Sequence, residues 1–125
     1  MLDRTWVHAV VSHLQPVFDA DGSGWSFHGV ADPPVSLLWE ASPTAFVARH
    51  PEARIEESYG CPAEEIPCLD FWFYLEPDAI HLSWEGYPLR ESPLVPTGDG
   101  DTDGRALATR LAHHLRLSVP PDSSG

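Results

Sequence analysis

The chain has 125 residues, 42% of them hydrophobic, with a formal net charge of −12 and a pI near 4.7. That length supports one domain with its own core and no need of disulfide or metal staples, and the hydrophobic content excludes general disorder. Nineteen acidic residues against seven Arg and no Lys argue against nucleic acid and anionic membranes as partners, because both are held by clustered cations.

The acidic charge is uneven. Thirteen carboxylates fall between residues 52 and 103 against Arg54 and Arg90, whereas Arg105, Arg110 and Arg116 gather near the C-terminus. A patch of this kind steers a basic partner by long-range attraction. Lys and Asn are both absent. Their codons are AT-rich, so the bias suggests a high-GC, bacterial genome. The N-terminus lacks a signal pattern and no apolar run approaches membrane-spanning length. The expectation is a soluble cytoplasmic protein.

Residues 2–18 carry helical periodicity, with Val7, Val10, Val11, Leu14 and Phe18 on one side and Thr5, His8, Ser12 and Gln15 on the other. Asp3 suits the start of this helix. Pro16 is expected to end or kink it near residues 13–15, and residues 19–24 then read as a turn. Two strands follow, at 25–30 and 35–40, separated by Asp32-Pro33-Pro34. Ser42 with Pro43 behind it opens a short helix to Arg49. Residues 54–59 read as a weaker strand and 60–67 as a loop.

The segment 70–85 alternates apolar and polar residues through two strand-length runs broken at Pro77-Asp78. As a hairpin it pairs Leu75 with Ile80, Phe73 with Leu82 and Phe71 with Trp84, giving a wholly apolar face. The opposite face pairs Tyr74 with His81, Trp72 with Ser83 and Asp70 with Glu85. Residues 91–103 are too rich in Pro, Gly and Asp for regular structure. A last helix is expected over 105–117, capped by Thr102 or Asp103, with Leu107, Leu111 and Leu115 inward.

The fold expected is α+β, in the order α-β-β-α-β-β-β-α. An antiparallel sheet of about four to five strands carries the N-terminal and C-terminal helices on one face. Residues 1–119 form the single domain and 120–125 a polar tail.

The mixed face of the hairpin is the candidate site. Exposed Trp and Tyr spaced by two on a strand suit an interface, and neighbouring carboxylates suit Arg or Lys through charge pairing and cation–π contact. With the flanking acidic loops, the partner-binding set is Glu56, Glu57, Glu64, Glu65, Asp70, Trp72, Tyr74, His81 and Glu85. Other motifs carry less. Cys61 and Cys68 lack redox or zinc-knuckle spacing. Residues 19–24 and 99–104 resemble the opening half of an EF-hand calcium loop, but Val30 and Arg110 stand where the bidentate Glu is required. They read as Asp/Gly turns. The seven His form no metal pattern, so no metal or cofactor is expected.

The function expected is that of a non-catalytic acidic binding protein, monomeric or homodimeric, that docks a basic protein. Toxin-neutralising immunity proteins and dedicated secretion chaperones are small, acidic and α+β in this general way. The alternative is a small enzyme with His81 as general base and Glu85, Asp70 and Tyr74 around it.

Overall fold

The computed structural model describes residues 3–30, 36–51, 55–84 and 92–116. Its order is α1 (Arg4–Asp21), β1 (Ser26–Val30), β2 (Ser36–Ala41), α2 (Pro43–Arg49), α3 (Ile55–Tyr59), a 3-10 turn (Ala63–Glu65), β3 (Leu69–Glu76), β4 (Ala79–Trp84) and α4 (Gly100–Arg116). The class is α+β, with one antiparallel sheet in the order β1-β2-β3-β4. The stretches 85–91 and 117–125, with Glu85 and the tail, lie outside the described residues.

The hairpin register is as the alternation dictates. Leu75 faces Ile80, Phe73 faces Leu82, Tyr74 faces His81 and Trp72 faces Ser83 across β3 and β4. On its other edge β3 takes β2, pairing Phe71 with Trp39, Phe73 with Leu37 and Asp70 with Glu40. Because strand side chains alternate, Leu37, Trp39, Leu69, Phe71, Phe73 and Ile80 share one buried face.

Helix α1 seals that face. Phe18 stacks on Trp39 with ring centroids 4.6 Å apart and meets Phe71 and Phe73 edge-on. This explains why α1 passes straight through Pro16 to Asp21 instead of ending there. Loss of one helical hydrogen bond at an exposed Pro costs about 3 kcal/mol. Burying Phe18 returns about 2 kcal/mol by area, and its ring contacts about 1 kcal/mol each. The helix stops instead at Gly22, whose φ of 80° and N–H bond to the Asp19 carbonyl make a left-handed cap. Asp3 is the N-cap, its carboxylate accepting from the Trp6 N–H at 2.9 Å.

Helix α4 lies against α1, and it begins earlier than the composition of 91–103 suggests. Asp99 accepts from the N–H of Thr102 at 2.9 Å and so caps a helix opening at Gly100. Gly100 and Gly104 face α1 so closely that a Cβ on Gly100 would sit 2.7 Å from Ala9 Cβ and 3.1 Å from the Trp6 carbonyl. A Cβ on Gly104 would meet the His13 ring at 2.7 Å. Asp103, 1% exposed, ties the contact together. Its carboxylate accepts from the Trp6 indole at 2.8 Å, from the Thr97 N–H and hydroxyl at 2.9 Å, and from the Gly98 N–H at 3.2 Å. Leu94 forms an antiparallel bridge to Ile80, with backbone bonds of 2.8 and 3.0 Å. The described part of the connection is therefore held to the edge of β4.

Residues 55–59 are helical, not a strand. Glu56 and Glu57 occupy the first turn, where the helix dipole favours acid, and Ile55 alone of the described side chains is buried. Glu56 and Glu57 are both exposed, so the segment lacks the alternation of burial that a half-buried strand requires.

Candidate functional site

The outer face of the sheet is built in rows. Ser26, Glu40 and Asp70 stand side by side on β1, β2 and β3; His28, Leu38, Trp72 and Ser83 form the next row; Ser36, Tyr74 and His81 lie beyond, with Glu76 at the end of β3. Tyr74 is 41% exposed. Its ring lies parallel to that of Trp72, 5.5 Å between centroids and 1° between planes. The two form an offset-stacked aromatic platform that strand alternation holds on the outer side of the sheet. Leu38, directly opposite Trp72, is 8% exposed although it points outward.

Carboxylates flank the platform. Glu76 lies 3.5 Å from His81 and Glu40 3.0 Å from His28. At the other end Glu40 and Asp70 are direct cross-strand partners, an arrangement that costs stability unless something lies between like charges. The Cys68 thiol does so, donating to Asp70 Oδ1 at 3.0 Å and approaching Glu40 Oε2 at 3.6 Å. Its bond to Asp70, its burial, and the charges of both carboxylates push the thiol up to about 12. Cys68 is thus a proton donor at neutral pH, not a nucleophile. One atom each from Glu40, Cys68 and Asp70 lie within 4.8 Å of one another. A divalent cation could sit there only by displacing the thiol proton, since thiolate is the ligating form.

Asp70, Trp72, Tyr74 and His81 therefore share one face, as the alternation requires. Of the flanking acids, Glu64 and Glu65 are exposed in the turn that feeds β3. Glu56 and Glu57 sit elsewhere, lining a cavity with Val47, His50 and Ile55 beside α2, and Glu56 is spent accepting the Ala63 N–H at 2.7 Å. Glu85 lies outside the described residues. The acid–base set of the enzyme alternative is spread along the strands. Tyr74 and His81 are partners, the carboxylate at His81 is Glu76 rather than Asp70, and the cavities beside α2, at the end of α1 and at the starts of α1 and α4 are lined by other groups.

The calcium-like segments have other work. Asp21 is turned inward to His50 and Trp25, while Asp99 and Asp103 cap and brace α4. Burial acts most strongly on the Asp103 carboxyl and would raise it. The N–H and hydroxyl of Thr97, the Trp6 indole and the Gly98 N–H outweigh burial and hold it below the usual carboxylate range. Both Cys are free and half-buried.

Sequence reasoning missed Glu40 as the neighbour of Asp70, and it missed His28. Both belong to strands whose pairing is non-local, so spacing along the chain carries no sign of them. It also missed Asp21 and His50, whose side chains meet at 2.6 Å. No helix among the described residues is long and apolar enough to cross a membrane. The protein is thus of the α+β class, with a four-stranded meander covered by helices on one side and an acidic, aromatic face on the other. No protein-family model, no curated protein and no solved structure matches the chain.

Proposed function

We propose that this is a non-catalytic acidic binding protein that docks a basic protein through the outer face of its sheet. The observation that carries the reading is the Trp72–Tyr74 platform, with Trp72 half-buried and Tyr74 exposed, set between Glu40, Asp70 and Glu76. Among the described residues that face holds no Arg. The ring faces of this stacked pair that turn away from each other suit a guanidinium or ammonium group, and carboxylates at either end supply charge-assisted hydrogen bonds. Sheet hydrogen bonds hold both, so little order remains to be gained on docking. Net charge of −12 adds long-range attraction for a basic surface.

Occlusion of a basic toxin, as by an immunity protein, and custody of a basic cargo, as by a dedicated chaperone, are the two settings this chemistry suits. The toxin setting is preferred, because a concentrated acidic patch with aromatic anchors matches the basic cleft of a nuclease. The test uses the full chain as bait in an extract of its native host, followed by rebinding of the purified capture. Trp72→Ala and Asp70→Ala should leave the circular dichroism and melting temperature near wild type. They should weaken capture of a basic protein, with Trp72→Ala costing about 2 kcal/mol or more, roughly thirtyfold, as a central aromatic anchor does. Undiminished capture by both variants overturns the reading.

A further inference from the structure

On the helical side of the molecule, away from the outer sheet face, a cavity of about 250 Å³ opens between the end of α1, the end of α2 and the last turns of α4. Its walls include Val17 from α1 and Ala112 and Leu115 from α4, and its polar groups are Asp21, Arg49 and His50. The cavities lined by Glu56 and Glu57, and by Asp3, Asp99 and Asp101, carry carboxylates and no guanidinium. In a chain with only seven Arg, a guanidinium in a cavity lining calls for its own account.

The three polar groups are not equivalent. Asp21 is closed to a ligand: its side chain is 3% exposed, with Oδ1 held by His50 Nε2 at 2.6 Å and Oδ2 by the Trp25 indole at 2.8 Å. Phe46 packs against the His50 ring, 4.5 Å between centroids, so this imidazole is fixed on two sides. Arg49 is fixed at its base, where Nε donates to the Asp21 carbonyl at 2.8 Å. Its two terminal nitrogens meet no acceptor among the described residues. The cavity therefore presents an anchored guanidinium edge beside an apolar wall, and its one carboxylate is already satisfied.

We propose that this cavity is a binding site for a small organic carboxylate, whose two oxygens take the terminal edge of Arg49 and whose apolar body lies on Val17, Ala112 and Leu115. A carboxylate matches the planar fork of a guanidinium bidentately. The volume admits a fragment-sized body, since drug-sized ligands occupy about 300 Å³ or more. The site is separate from the aromatic platform and stands whether or not a protein docks there.

The experiment is an NMR titration of the full chain with benzoate, with benzamide as its neutral counterpart and inorganic phosphate as an anion without an apolar body. Benzoate should give saturable shifts at the Trp25 indole N–H, which reports on Asp21, and at the amides of Ala20 and Ala112, with the Trp72 indole unmoved. Benzamide and phosphate should bind at least about tenfold more weakly, the loss expected for one charge-assisted pair or for the apolar contact. Arg49→Gln should weaken benzoate by a similar factor, and Arg49→Lys should recover part of it. Shifts that never saturate, equal binding of benzamide, equal binding of phosphate, or an Arg49→Gln variant that titrates like wild type each overturn the proposal. The ligand comparison is made on the wild-type chain, so it decides the matter even if a variant folds poorly.

Discussion

Cys68 and Asp103 show how neighbours set the chemistry of single groups. The thiol is pushed up to about 12 by Asp70 and Glu40, so it should alkylate far more slowly with iodoacetamide at pH 8 than an ordinary thiol, whose pKa is about 8.5. Asp70→Asn should speed the reaction by at least about tenfold, since it removes one charge and the strongest bond. Mass mapping of the labelled Cys68 peptide reads this directly, and an unchanged rate in the variant would contradict the assignment. Asp103 works in the opposite sense. Its carboxyl is lower in the fold than in the unfolded chain, so its stabilisation is fully present above pH 4 and is lost as pH falls through its folded value. Asp103→Ala strands the Trp6 indole and the Thr97 and Gly98 N–H groups. It should cost about 3 kcal/mol at pH 7, the upper end for bonds to a charged acceptor. Chemical denaturation at pH 7 and pH 3 should show that gap narrowing in acid.

At the scale of elements, the meeting of α1 and α4 is the most demanding packing. Gly100 abuts the Ala9 side chain and the Trp6 backbone, neither of which can move without shifting α1. Gly100→Ala should therefore destabilise by about 2 kcal/mol through overpacking, and lower the melting temperature by several degrees. Gly104→Ala meets the His13 ring instead, which can rotate away at the expense of an exposed bond to Asp101 of little worth. Alanine also gains up to about 1 kcal/mol of helix propensity there, so its melting temperature should stay within a degree or two of wild type. Such a glycine pair is visible in the sequence, but its composition also reads as loop. Only the partner helix gives it meaning. Pro16 failed as a stop signal for the same kind of reason: propensity is local, whereas Phe18 is held by β2 and β3. Residues 55–59 are a helix and not the expected strand, with Ile55 inward and Glu56 and Glu57 both in water, and so short a segment carries no full period of either pattern.

Across the whole molecule, charge and architecture divide the surface. The helices close one side of the sheet, leaving the platform and its carboxylates on the other, and under the proposed function the binding of a basic partner should weaken as salt rises. Much of this was legible. Strict alternation with a two-residue break at Pro77-Asp78 determined the hairpin, its register and which residues share a face, because a period of two admits one pairing across so short a turn. Ser42-Pro43 determined the start of α2, and the Leu107, Leu111, Leu115 spacing the inner face of α4. What the tertiary structure alone decided is which distant residues became neighbours: Glu40 beside Asp70, His28 against Glu40, Asp103 beneath Trp6, and His50 against Asp21. Periodicity and caps are written in the energies of adjacent residues and can be read along the chain. Contacts between elements follow from how several buried faces are satisfied at once, and no single stretch of sequence contains that answer.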